Sequence, residues 1–378
     1  MKILHLGKFY PPAKGGMEAI LQLICRETSS YVHNRVIVAN DGFTRIEEKD
    51  RDVDIVRLPV VSKIGAVAIC PGFPVQLARE IADIIVLHEP NPMALVAYFL
   101  ARPEGKLIVW FHSEVIRPSW RYRLLYRPFL QFALSRATRI VVSSPALAHS
   151  AEALREWQGK CVVIPFGVEK ASDLDVSEMA ARAEQIRSEV GRAIVLFVGR
   201  LVPYKGVDVL MDAMRTISAG LVLVGDGPLR QELQRKAEAA GIADRVRFAG
   251  EVTAEELAAL YRACDLVVLP SVTRQEAFGV VQIEAMARGK PVVSTRVGTG
   301  VDWVNLDGET GLVVPPGDTA ALSVAIDRLL CDPLERQAMG AAGQARARSV
   351  FAVDGMVNSI LSLYHDVTGE HGPRQTVA

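Results

Sequence analysis

Residues 193–214, AIVLFVGRLVPYKGVDVLMDAM, open with an unbroken apolar run, pass through a turn holding Gly and Pro, and close on apolar residues at helical spacing. A short β-branched run, a glycine loop and then a helix make the βα unit of a parallel sheet, whose strands are buried on both faces. The same pattern recurs in both directions along the chain. Upstream, KILHLG (2–7), RVIVAN (35–40), DIVRL (54–58), DIIVLH (83–88), KLIVWF (106–111), RIVVSS (139–144) and CVVIPF (161–166) read as strands. Downstream, LVLVG (221–225), RVRFAG (245–250), DLVVLP (265–270), PVVST (291–295) and GLVVP (311–315) do, alternating with helices such as LRQELQRKAEAAG (229–241). Two successive doubly wound α/β domains accommodate these strands better than one very wide sheet.

The strand signal stops after Phe166-Gly167-Val168, and an acidic stretch, EKASDLDVSE (169–178), separates it from the next strand, so the boundary is expected there. FAVDGMVNSILSLYHDV (351–367) is a long amphipathic helix pattern that can pack on either domain, and the tail GEHGPRQTVA (369–378) reads as disordered. Half of the 378 residues are hydrophobic and 23% are charged, which supplies more than one core. The 43 basic and 43 acidic residues cancel, so no strong positive field points to nucleic acid as a partner. Five cysteines, scattered and without a CxxC pair, argue against a disulfide framework or a zinc site and for a reducing, cytoplasmic compartment. No segment approaches the roughly 20 apolar residues of a membrane-spanning helix.

In doubly wound sheets ligands bind at the carboxyl ends of the strands, so the residues after each strand carry the chemistry. GKFYPPAKGGME follows the first strand but lacks the order of a phosphate loop; Gly15-Gly16 at a helix start either lets amides approach an anion or is a plain glycine turn. In GRLVPYKG, Arg200 and Lys205 lie beside Gly206, where two cations complement a diphosphate, although loop cations also serve solubility alone. VGDGP (224–228) is a lone Gly-Asp-Gly turn, and the missing GxGxxG disfavours an NAD enzyme. In RQEAFGVVQIEAMARGKPVV (274–293), Glu276 stands in a loop and Glu284 one turn inside a helix expected over 280–288. On a single helix eight residues span about 12 Å. A glycosidase pair needs carboxyls about 5 to 9.5 Å apart. The spacing therefore suits two grips on one extended ligand, with the amides of Gly279, Val280 and Val281 between them facing an anionic middle.

These motifs, in this order, resemble the retaining glycosyltransferases of family GT4. The resemblance spans almost the whole chain: Gly15-Gly16, His112 after KLIVWF, GRLVPYKG, VGDGP, and Glu276 with Glu284 in E-x7-E followed by AMARGKPVV. It implies the GT-B fold, two facing Rossmann-like doubly wound domains with an interdomain cleft. Residues 1–168 plus 351–378 would form the acceptor-side domain, completed by the returning C-terminal helix, and 169–350 the nucleotide-sugar domain. The implied reaction moves a hexosyl group, with retention, from a GDP- or UDP-linked sugar to a sugar or lipid-linked glycan in cell-surface polysaccharide or glycolipid synthesis, with no cofactor and no metal.

By the same resemblance Arg200 and Lys205 neutralise the diphosphate, Glu276 binds hydroxyls of the transferred sugar, Glu284 binds the ribose, and Val252 lies near the base through its backbone. His112 either reaches the donor sugar near the acceptor or is a structural hydrogen-bonding group, and Glu114 stays outside the site. Two alternatives of other classes are a catalytically silent GT-B protein that binds a sugar nucleotide or glycan, and a UDP-sugar epimerase of the same fold. Finally, RPSWRYRLLYRPFLQFALSRATR (117–139) interleaves six arginines with Trp120, Tyr122, Tyr126, Phe129 and Phe132. Part reads as core helix, and part as a surface suited to peripheral contact with an anionic membrane.

Overall fold

The computed structural model describes residues 1–64, 67–115, 120, 122–168 and 176–369. Most of the acidic stretch 169–178, positions 117–119 and 121 of the basic and aromatic stretch, and the tail from 370 lie outside the described residues. The chain forms two units, Met1–Phe166 with the chain from Asp354 onward, and Gly167–Val353.

The first unit carries β1 (Lys2–Leu6), β2 (His33–Ala39), β3 (Ile46–Asp50), β4 (Val53–Leu58), β5 (Ser62–Ile64), β6 (Val67–Ile69), β7 (Ile84–Glu89), β8 (Lys106–Phe111), β9 (Arg139–Val142) and β10 (Cys161–Val163). Eight of them form one sheet in the order β10-β9-β8-β7-β1-β2-β4-β3, while β5 and β6 pair as a separate antiparallel ladder. All neighbours in the large sheet are parallel except β3, which runs antiparallel to β4 at the edge. The parallel strands read as apolar runs because helices cover both faces: Val36, Ile37 and Val38, consecutive on β2, are all fully buried. Each such side chain contributes about 1.5–3 kcal/mol by leaving water. The strands β3 and β5 carry no such signal, and β6 is apolar but only three residues long. Sequence IEEKD exposes four of its five residues, as a charged edge strand that resists pairing with another chain does.

The second unit carries β11 (Ile194–Val198), β12 (Gly220–Val224), β13 (Val246–Gly250), β14 (Leu266–Leu269), β15 (Val292–Thr295) and β16 (Gly311–Val314), in the order β13-β12-β11-β14-β15-β16 with every pair parallel. This is the doubly wound dinucleotide-fold order, and it reverses between β11 and β14, the place where such sheets bind their ligands. Backbone contacts pin both loops. Val272 N donates to Tyr204 O at 2.8 Å. Gly206 has φ 64°, and a Cβ there would stand 2.1 Å from the Pro270 carbonyl oxygen. VGDGP clasps the same loop from the other side: Leu201 N donates to Asp226 O at 3.0 Å, and a Cβ on Gly225 would stand 2.2 Å from the Gly199 oxygen.

One buried polar column crosses the first sheet. His5, His88 and His112 are linked through their rings, with Asn34 at one end, and Glu89 beside them is fully buried with its Oε2 accepting from Tyr126 Oη at 2.5 Å. The helix Val353–Thr368 completes this unit, with Arg139 Nη2 against Asp366 Oδ2 at 2.9 Å.

Two expectations follow from these contacts. Gly206→Ala forces both a strained φ and a backbone clash, so the second unit is expected to lose at least about 2 kcal/mol. That corresponds to a melting transition lowered by roughly 4–8 °C, and an unchanged transition would contradict the pinning. The titrating groups set a pH optimum for the first unit. Burial holds His5 down to about 4, His112 down to about 3, and His88 well below 6.5. The unfolded chain therefore takes up protons below pH 6.5 that the folded chain refuses, and stability falls as pH falls through that value. Burial lifts Glu89 from 4.5 to about 8, against the hydrogen bond from Tyr126. Its stabilisation is complete below 4.5 and is lost as pH rises through 8. Melting temperature from pH 5 to 9 is expected to peak at about 6.5–7 and fall on the alkaline side. Glu89→Gln is expected to flatten the alkaline fall by about 2 kcal/mol at pH 8.5, and an identical fall in both proteins would contradict the assignment.

Candidate active site

The loop after β14 and the helix Val280–Ala287 build the centre of the second unit's site. Glu276 is 8% exposed, and its Oε2 meets Lys205 Nζ at 2.5 Å and accepts from Ser271 Oγ at 3.0 Å. Its backbone is also held, because Thr299 Oγ1 donates to Glu276 O at 2.6 Å. Lys205 comes from the loop after β11, so the ion pair bridges the two loops at the reversal of strand order. Burial opposes the charge on Lys205, but Glu276 more than offsets it and the lysine stays charged above its usual range. An ammonium has three donors, and the bond to Glu276 engages one of them.

Arg200, also after β11, is exposed and has no salt-bridge partner among the described residues. Glu284 lies one turn inside the helix, where Tyr261 Oη donates to its Oε2 at 2.6 Å and the Arg288 guanidinium stacks on the Tyr261 ring at 4.9 Å. Gly279 caps the helix with φ 73°. Gly279 and Val281 are buried residues, and Val280 is the one partly open, so the helix start is seated against the core rather than standing free. Val252 follows β13, half-buried, just before the helix Ala254–Ala263. The structure thus brings Lys205 and Glu276 into contact and puts Arg200, Val252, Gly279, Val280, Val281 and Glu284 at the carboxyl ends or first helical turns of one sheet.

The remaining expected residues belong to the first unit. Gly15 precedes the helix Gly16–Thr28 in extended conformation, and a Cβ there would stand 2.1 Å from Glu18 Oε2. A carboxylate of the chain itself thus faces the start of that helix. His112 follows β8, 5% exposed, with its backbone N donating to Glu89 O at 2.9 Å and Phe166 stacked on its ring at 5.7 Å. Glu114 is engaged structurally, since its Oε1 accepts from Glu152 N at 2.7 Å. Near His112, Glu89 Oε1 and Asn91 Nδ2 are buried polar atoms without hydrogen-bond partners among the described residues. The described residues contain no group of three or more His, Cys, Asp or Glu placed to hold a metal ion.

Sequence reasoning missed Ser271, Thr299 and Tyr261, which orient the two glutamates, and Glu89 with its histidine neighbours. Ser271 was within reach, as the second residue past a strand end. Tyr261 and Thr299 lie 23 residues from Glu284 and Glu276 respectively, and only the folded sheet brings them together.

Two family models match, "Glycosyl transferase 4-like domain" over residues 15–167 and "Glycosyl transferases group 1" over 180–346. The chain is 32% identical to O-antigen chain mannosyltransferase C of Escherichia coli over 96% of its length and 98% of that protein. It is 33% identical to D-rhamnosyltransferase WbpZ of Pseudomonas aeruginosa over 93% of its length and 92% of that protein. Among solved structures, sucrose-phosphate synthase from Thermosynechococcus elongatus superposes with a TM-score of 0.81 at 25% identity, covering 98% of this chain and 100% of that one. Its two parallel-sheet units have the GT-B architecture, and the chain belongs to the GT4-type family of glycosyltransferases.

Proposed function

We propose that this glycosyltransferase moves a hexosyl group of manno configuration from a nucleoside diphosphate, GDP- or UDP-linked, to a sugar or lipid-linked glycan in cell-surface polysaccharide or glycolipid synthesis, with retention at the anomeric carbon. The observation that carries this is the Lys205 to Glu276 pair at the reversal of strand order, with Arg200 on the same loop. Two cations there neutralise the charge that grows on the departing diphosphate, which is where preorganised electrostatics contribute most to rate. Glu276, already tied to Lys205 and Ser271, is a hydrogen-bonding anchor for sugar hydroxyls rather than a nucleophile, which favours same-face attack in which the leaving phosphate oxygen takes the acceptor's proton. Glu284, held by Tyr261, grips the ribose, and Val252 lies by the base. Gly15, Gly16 and the amides of Gly279, Val280 and Val281 hold the donor, and His112 meets a sugar hydroxyl. With charge neutralisation supplied by Arg200 and Lys205, the reaction needs no metal. The manno configuration rests on the relatives' names, since mannose and rhamnose share it.

The basic and aromatic segment supports an acceptor at a membrane surface. Trp120, Leu124 and Leu125 are 63%, 65% and 61% exposed, beside exposed Arg123 and Arg127, while Tyr126, Leu130, Ala133 and Leu134 of the same stretch are buried in the core. Exposed apolar side chains flanked by arginine suit an anionic lipid interface. No helix among the described residues is long and apolar enough to cross a membrane.

Lys205→Ala and Arg200→Ala are each expected to lower the turnover of transfer by about 10²–10³-fold, and near-normal turnover in both would sink the assignment. GDP-mannose and UDP-sugars are expected to separate in a thermal-shift panel, because a bound ligand raises the melting temperature, and failure of every nucleotide sugar would count against the reading. Product formed from donor alone would favour the epimerase instead. Transfer is expected to survive EDTA, and NMR of the product is expected to give the donor's anomeric configuration. Co-sedimentation with anionic vesicles at low salt is expected for the wild type and weakened by Leu124→Ser with Leu125→Ser; no wild-type binding removes the membrane contact.

A further inference from the structure

Four buried polar side chains stand on adjacent strands of the first sheet: Asn34 on β2, His5 on β1, His88 on β7 and His112 just past β8. Asn34 is level with Ile3, His5 with Val86, and His88 with Trp110. Each step thus crosses one strand and climbs two residues, which keeps every side chain on one face and carries the column to the carboxyl end of the sheet. Asn34 Nδ2 donates to the Cys25 carbonyl and to Thr28 Oγ1, both at 2.9 Å, so the atom that meets His5 Nε2 at 3.3 Å is the amide oxygen. An amide oxygen only accepts, so His5 carries its proton on Nε2, and a neutral imidazole then has a bare Nδ1. That bare Nδ1 accepts from His88 Nε2 at 3.1 Å. His88 Nδ1, bare in turn, accepts from His112 Nε2 at 2.9 Å. The direction of every bond is therefore set at Asn34. His112 is left with Nε2 committed, and its Nδ1 has no hydrogen-bond partner among the described residues.

We propose that Asn34, His5 and His88 are positioning residues that lock His112 in one tautomer and one ring orientation, so that it offers a bare Nδ1 to a hydroxyl and turns away phosphate and carboxylate oxygens. That the hydroxyl belongs to a sugar rests on the transferase reading; the tautomer does not. The column ends on an amide, which takes up no proton, so it does not carry the acceptor's proton away. Ring stacking holds the planes: Trp110 lies 5.8 Å from His88 at 11° and 6.1 Å from His112 at 15°, and Phe166 covers His112 at 5.7 Å. Burial adds to the preference for uncharged rings, holding His112 down to about 3.

Imidazole ¹⁵N correlation spectra of the full-length protein test this directly, since the chain has seven histidines and the His112 signal is identified by its loss in His112→Asn. The expected wild-type result is His112 protonated on Nε2 and bare on Nδ1, without titration between about pH 6 and 8. His88→Gln keeps a donor for His5 and an acceptor for His112, and is expected to preserve both the tautomer and the transfer rate. His88→Met keeps the bulk and loses both bonds; it is expected to release His112 into mixed tautomers and lower kcat/KM about tenfold, the worth of one hydrogen bond, while binding of the nucleoside diphosphate alone is unchanged. His112 protonated on Nδ1 in the wild type, or an unchanged His112 tautomer in a folded His88→Met protein, overturns the proposal. Absence of any glycosyl transfer alongside the expected spectra would count against the transferase reading and leave the tautomer lock standing.

Discussion

The ion pair between Lys205 Nζ and Glu276 Oε2, 2.5 Å apart with side chains 12% and 10% exposed, holds together the part of the second unit where the strand order reverses. Two charges taken this far out of water are stable only as a pair, and removing one typically costs about 3–5 kcal/mol because the other is left uncompensated. The surrounding chain is arranged to keep them together. Gly206 lets the lysine loop approach the Pro270 carbonyl, Ser271 and Thr299 hold the glutamate by side chain and backbone, and VGDGP backs the loop from the far side. Charges held this way are already aimed, and in the role proposed above they would need little reorganisation at the moment of reaction.

The first unit solves a different problem with neutral groups. Its polar column has no formal charge, yet every member but the last is bonded at both ends, and the direction of the bonds is inherited from Asn34. In a low-dielectric interior such a chain strengthens its own links, and an unmatched member would be costly. The flanking Trp110 and Phe166 rings keep the imidazoles from tilting out of line. Charge fixes the second unit's site; polarity and stacking fix the first unit's.

The parallel strands were legible because each is an apolar run ended by a turn, a pattern that depends on nearest neighbours in sequence alone. That Arg200, Lys205 and Glu276 stand in loops at the carboxyl ends of strands was legible for the same reason, and such loops are where ligands of these sheets bind. The strand Ile46–Asp50 was not: IEEKD is an edge strand with four residues exposed and the fifth, Asp50, bound to Arg26, so no apolar alternation marks it. That Lys205 and Glu276 pair, 71 positions apart, depends on which strands lie side by side, and local pattern does not encode strand order. The histidines show this most clearly. At positions 5, 88 and 112 each is unremarkable in its own run, and the column exists only because β1, β7 and β8 are neighbours.

The allocation of the C-terminal helix has a consequence for how the protein is made. The second unit is one continuous segment, Gly167–Val353, while the first unit is split between Met1–Phe166 and the chain from Asp354 onward. On the ribosome the inserted segment is complete before the unit that precedes it. The first unit is therefore incomplete until the helix Val353–Thr368, with its buried Ile360 and Tyr364, has been synthesised. Until then the apolar surface that buries those side chains lacks its partner, which is the condition under which incompletely folded chains aggregate.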